Sequence, residues 1–166
     1  MKELTDNIIQ GLFLKTGVDE KYFSCYETEL KRRHKAFREE FPYDENEDED
    51  EEERAEDEEM EKACIECAND YIRYYVEEAE KGHCHKWSDS VARARVGGEH
   101  EFNVYYDAYT SIENEAERER ELRIRAKSLF PDSFAQDRYI LLFKNQAEYP
   151  QKDTEEYIKA FSNDKI

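Results

Sequence analysis

Cys64-Ile65-Glu66-Cys67, followed by His83-Cys84-His85, is the grouping in this chain best suited to chemistry, because two thiolates and two imidazoles can complete a tetrahedral zinc site. Spacing opposes a shared site. If one helix joins them, Cys64 and His83 stand about 28 Å apart along its axis at 1.5 Å per residue. Both cysteines also fall on an apolar stripe, where a free thiol behaves as a small hydrophobe. Asp44, Asn46 and Asp48 copy the opening of a calcium-binding loop. That loop needs Gly at its sixth position and Glu at its twelfth, where this chain has Glu49 and Ala55. Glu99-His100-Glu101, and Asp70 with Glu77 and Glu78, are acid-base groupings of the kind an exposed acidic helix produces by chance. No stretch matches a zinc-protease or phosphate-loop signature. The sequence therefore predicts no catalytic residue, no metal site and no cofactor.

Charge is the stronger signal. Thirteen of the sixteen residues from Asp44 to Glu59 are acidic: Asp44, Glu45, Glu47, Asp48, Glu49, Asp50, Glu51, Glu52, Glu53, Glu56, Asp57, Glu58 and Glu59. Only Arg54 offsets them, so about two thirds of the chain's net charge of −18 sits on this tract. Blocks of like charge repel, which predicts a disordered, solvated insertion. The sharper reading is mimicry of a nucleic-acid backbone. As a helix the tract spans about 24 Å with an acid every ~1.8 Å, and fully extended about 54 Å with one every ~4 Å. Duplex DNA carries a charge every ~1.7 Å of axis and a single strand one per ~3.4 Å.

The elements around the tract read as helices. Five Gly, three Pro and 41 % charged residues point away from strand-rich folds. Leu4, Ile8, Ile9, Leu12 and Phe13 recur at helical spacing up to a Gly17 cap. Tyr22, Tyr26, Leu30, Phe37 and Phe41 form a second stripe ended at Pro42, with Lys31, Arg32, Arg33, Lys35 and Arg38 crowding the other faces. That basic helix is the nearest natural neighbour for the acids that follow it, which opens the alternative that one folds partly back onto the other. A third stripe runs through Met60, Cys64, Cys67, Tyr71, Tyr74 and Tyr75 to Gly82. Gly82-x-x-His85-x-Trp87 then recurs fifteen residues later as Gly97-x-x-His100-x-Phe102, predicting two glycine-led turns each opening a helix. Glu113 to Phe130 alternates acids and arginines around Leu122, Ala126, Leu129 and Phe130, predicting a solvated face laced with ion pairs. Pro131 breaks it. Phe134 to Phe143 continues as helix, with Tyr139 to Phe143 open to a buried-strand reading, and Asp153 with Glu156 resembles a capping box for a last helix through Tyr157 and Phe161.

The expected fold is mainly α, a single helical domain over 1–166 of six to seven helices, divided into a helix pair (1–43), the acidic insertion (44–59) and a helical core (60–166). The opening residues carry acids and only a short apolar patch, so they are not read as a secretory signal, and no apolar run approaches the ~20 residues of a membrane span. A cytoplasmic protein with free thiols is expected. The expected function is non-catalytic. The tract would occupy a basic groove on a nuclease or other nucleic-acid-binding protein, as a phage-encoded inhibitor of a host defence complex would, without binding nucleic acid itself. The alternative is a helical scaffold or adaptor, including a homodimer, that uses the rings around Trp87, Phe102, Tyr105 and Tyr109 while the tract only confers solubility.

Overall fold

Thr5 starts the first helix by accepting the Ile8 N–H at 3.3 Å, and the left-handed Gly17 ends it, giving α1, Asp6–Thr16. A 3-10 turn, Glu20–Tyr22, leads into α2, Phe23–Glu40, which closes at Phe41 directly before Pro42. Then follow α3, Glu51–Glu80; α4, His85–Val96; α5, Glu101–Thr110; α6, Glu115–Leu129; and α7, Ser133–Glu148. This computed structural model describes residues 3–43 and 51–148. Among them are seven α-helices and no strand, so the chain is mainly helical as expected, and Tyr139 to Phe143 is helix. The capping box at Asp153 and the helix expected after it lie outside the described residues, as do Asp44, Asn46 and Asp48 of the calcium-loop-like opening.

The chain forms two compact units, 1–76 and 77–166, divided within α3. In the first, Ile9 and Phe13 of α1, Tyr26 and Leu30 of α2, and Ala68, Tyr71, Ile72 and Tyr75 of α3 are buried. The rings of Phe13, Phe23 and Tyr26 meet at 5.3 and 5.4 Å, and the Tyr26 hydroxyl donates to Asn69 Oδ1 at 2.8 Å. Burial pushes the Tyr26 hydroxyl up to about 12, so it stays a donor. The packed face of α3 includes the expected Tyr71 and Tyr75, but towards the helix start Glu61 is buried and Met60 exposed, and Ala68 and Ile72 complete the face.

In the second unit Trp87, Val91, Val104, Tyr105, Ala108, Ile112, Leu122, Ala126, Tyr139 and Phe143 build one core from α4 to α7. The two glycine-led turns exist, but their structural period is sixteen. His83 and Glu99 donate back to Glu78 O and Ala94 O, while Gly82 and Gly98 donate to Ala79 O and Arg95 O. The same helix-ending motif thus occurs twice, with Gly82 (φ +96°) matched by Gly98 (φ +70°), whereas Gly97 is right-handed. Trp87 and Phe102 are both buried, as expected, one position apart in helix register.

Candidate partner-binding site

Like-charge repulsion alone would keep the acidic tract from folding, yet Glu51 to Glu59 form the first turns of α3. This corrects the loop expected across 51–59; Asp44, Glu45, Glu47, Asp48, Glu49 and Asp50 lie outside the described residues. Two causes are visible. Glu51, Glu52 and Glu53 occupy the first turn, where unpaired backbone N–H groups and the helix dipole favour negative charge. Farther in, Asp57 and Glu61 lie four residues apart on one face and both meet Arg38 of α2. Arg38 donates to Asp57 at 2.9 and 3.2 Å and also to Glu61. Its guanidinium lies 3.6 Å from the centre of the Tyr43 ring. Burial works against its charge, but the hydrogen bonds to Asp57 and Glu61 and the Asp57 charge more than offset it, holding Arg38 above its ordinary value. The alternative folding of the basic helix onto the acids therefore occurs at this clasp.

Asp57 is half-buried in the clasp; Glu51, Glu52, Glu53, Glu56, Glu58 and Glu59 are exposed. Seven acids over about 12 Å of helix give one every ~1.7 Å, the duplex DNA density, though on a narrower cylinder. Nothing in local spacing singled out Arg38 or Glu61. Their partnership joins residues 23 apart.

Beside the clasp, α2 and α3 line a groove of about 420 Å³ with Arg32, Arg33, Phe37, Met60, Cys64 and Cys67 among its walls. Both cysteines are half-buried rather than core residues. Helix α3 runs unbroken past Cys67 to Glu80, and among the described residues no group of three or more His, Cys, Asp and Glu side chains is placed to hold a metal.

A second polar cluster lies in the other unit. Glu121 of α6 accepts from His83 Nδ1 at 2.6 Å and from the Cys84 backbone N–H at 3.1 Å, at the start of α4. His83 stacks on Trp87 with ring centres 4.6 Å apart, and Trp87 Nε1 donates to Glu78 at 3.0 Å. Glu78 is 0 % and Glu121 1 % exposed, and Arg125 is buried over the Tyr105 ring at 3.6 Å. The face expected to be solvated is thus sunk at Glu121 and Arg125, which flank the core residues Leu122 and Ala126. Trp87, Phe102 and Tyr105 are buried and Tyr109 is half-buried, so these rings serve the core.

Burial holds His83 below its ordinary value, although the Glu121 bond and the charges of Glu78 and Glu121 act the other way and Lys81 adds to the lowering. As pH falls through about 6.5 the unfolded chain takes the proton first, so stability is present above that pH and is lost below it. His34, lowered by burial and by the Arg38 charge although Glu61 acts the other way, adds the same sign. Melting temperature is expected to fall between pH 7 and 5.5, and more shallowly in His83→Gln. Equal slopes in the two proteins would remove His83 as the cause.

Comparison with known proteins finds no matching family model, no matching characterised protein and no matching solved structure. Among the described residues no helix is long and apolar enough to cross a membrane.

Proposed function

We propose that this chain is a non-catalytic, acidic protein-binding module that inhibits a nucleic-acid-handling protein by occupying its basic groove, as a phage-encoded anti-defence protein would in the host cytoplasm. The observation that carries this reading is the clasped start of α3. Glu51, Glu52, Glu53, Glu56, Glu58 and Glu59 are exposed on a helix that Arg38 holds through Asp57 and Glu61. A preordered acidic helix avoids the ordering cost that a disordered tract would meet on binding. Asp57 anchors the helix, and the six exposed acids stand in for phosphates against Lys and Arg of the partner. Long-range attraction speeds encounter and salt weakens it. The burial of Trp87, Phe102 and Tyr105 counts against the adaptor alternative, since it leaves those rings little surface for a partner.

The test compares the intact chain with a variant carrying Gln at 51, 52, 53, 56, 58 and 59, which keeps Asp57 and Glu61 and so keeps the clasp. Immobilised intact chain should retain a nucleic-acid-binding protein that duplex DNA competes off and that high salt releases; the variant should retain at most about a tenth as much, the size of a ~1.4 kcal/mol loss. Equal retention by both, or retention indifferent to competing duplex, would end the mimicry reading.

A further inference from the structure

Met60, Cys64 and Cys67 stand at i, i+4 and i+7 of α3 and all line the groove of about 420 Å³ in the first unit. At 100° per residue the three positions fall within an arc of about 60°, with axial steps of about 6 and 4.5 Å. Three sulfur donors therefore share one helix face and one groove. The geometry points to a thiophilic metal site there, in which Cys64 and Cys67 ligate one monovalent copper ion and Met60 supplies a supporting thioether.

Four considerations favour this ion over other uses of the thiols. Residues three apart on a helix hold their Cβ atoms about 5–6 Å apart, whereas a disulfide needs ~3.8 Å, so Cys64 and Cys67 cannot oxidise to each other while α3 stays helical. Both are free. An ion between the two sulfurs bridges that gap with no backbone change. Donor type decides next: thiolate and thioether select Cu(I), while a structural zinc site wants four ligands, and the remaining groove walls offer Arg32, Arg33, Ala36, Phe37 and Ala63 rather than imidazole or carboxylate. Charge is the third consideration. Arg32 and Arg33 line the groove and both bond the buried Glu29, at 2.6 and 2.7 Å, so cationic groups border the two sulfurs. Two thiolates around Cu(I), with one net negative charge, suit that border. Access is the last, since Met60 is exposed and both cysteines are half-buried.

On binding, two S–H bonds break, two S–Cu bonds form, both protons leave to solvent and copper stays Cu(I) throughout.

The experiment is an anaerobic titration of the full chain with Cu(I) against bathocuproine disulfonate, with circular dichroism of every variant. The intact chain should withdraw one equivalent of copper. Cys64→Ser and Cys67→Ser should each abolish this, the Cys25→Ser/Cys84→Ser double variant should leave it unchanged, and Met60→Leu should keep the stoichiometry with about tenfold weaker retention, as for loss of a supporting partner. Because Met60 is exposed, its variant tests the site even if a cysteine variant fails to fold. The proposal is overturned if the intact chain withdraws no copper, if the Cys25/Cys84 variant loses it, if Met60→Leu changes nothing, or if zinc displaces the copper at equal concentration.

Discussion

Glu121→Ala is expected to destabilise the protein by about 2–4 kcal/mol, since two donors lose their acceptor at roughly 1–3 kcal/mol each, the half-buried Cys84 N–H at the lower end. Glu121 is 1 % exposed and accepts two hydrogen bonds, from His83 Nδ1 and from the Cys84 N–H. Alanine leaves both donors without that acceptor, next to a second buried carboxylate, Glu78, whose Oε2 lies 3.5 Å from His83 Nε2. The damage falls on a turn. His83 and Cys84 join the end of α3 to the start of α4, and Trp87, stacked on His83, is the largest fully buried side chain. Glu121→Gln keeps one acceptor oxygen and should recover part of the loss, because only one of the two donors then faces an N–H₂ group. Urea unfolding of the three proteins measures this. A loss below about 1 kcal/mol for Glu121→Ala would show that water replaces the carboxylate and that the cluster is peripheral to the turn.

That cluster also shows where sequence reading stopped. The helices were legible because apolar residues recur every three or four positions and because their ends carry local chemistry: Gly17 after α1, Pro42 after α2, and Pro131 between α6 and α7. Those signals are local. The burial of Glu121 and Arg125 depends on partners brought in from elsewhere in the fold, His83 and Tyr105, and the alternating charges from Glu117 to Arg125 look alike in sequence. One hint was present, since both residues adjoin Leu122 and Ala126, which the apolar line marked as buried. The repeat at Gly82 and Gly97 misled by one residue because composition matched Gly97, whereas backbone conformation matched Gly98. The start of α3 was illegible for a different reason. Local rules assign a like-charge block to disorder, and only the clasp through Arg38, reaching across 19 and 23 residues, reverses the assignment.

Arg38→Ala is therefore expected to loosen the acidic helix before anything else. Arg38 makes charge-assisted bonds to both Asp57 and Glu61, and such bonds contribute about 1.5–3 kcal/mol each in favourable settings. Asp57 is half-buried and can rehydrate, so its share is small. Glu61 is 3 % exposed and His34 lies 3.8 Å away, so losing the Arg38 bond costs more at this buried carboxylate than at Asp57. A net loss of about 2–3 kcal/mol follows. Arg38→Lys restores the charge but not the two-pronged contact with Asp57, and should fall between alanine and the intact chain. The local effect is the more telling one. Without the clasp the dipole advantage of Glu51, Glu52 and Glu53, about 0.3–1 kcal/mol each, stands against repulsion among the remaining acids of the helix start. Amide hydrogen exchange over 51–59 should rise towards the unstructured rate while Ala68 to Tyr75 stay protected by their burial. If exchange over 51–59 is unchanged, Arg38 does not order the tract. If it rises and partner capture weakens with it, although no exposed acid has been altered, the carboxylates act through the conformation in which Arg38 presents them.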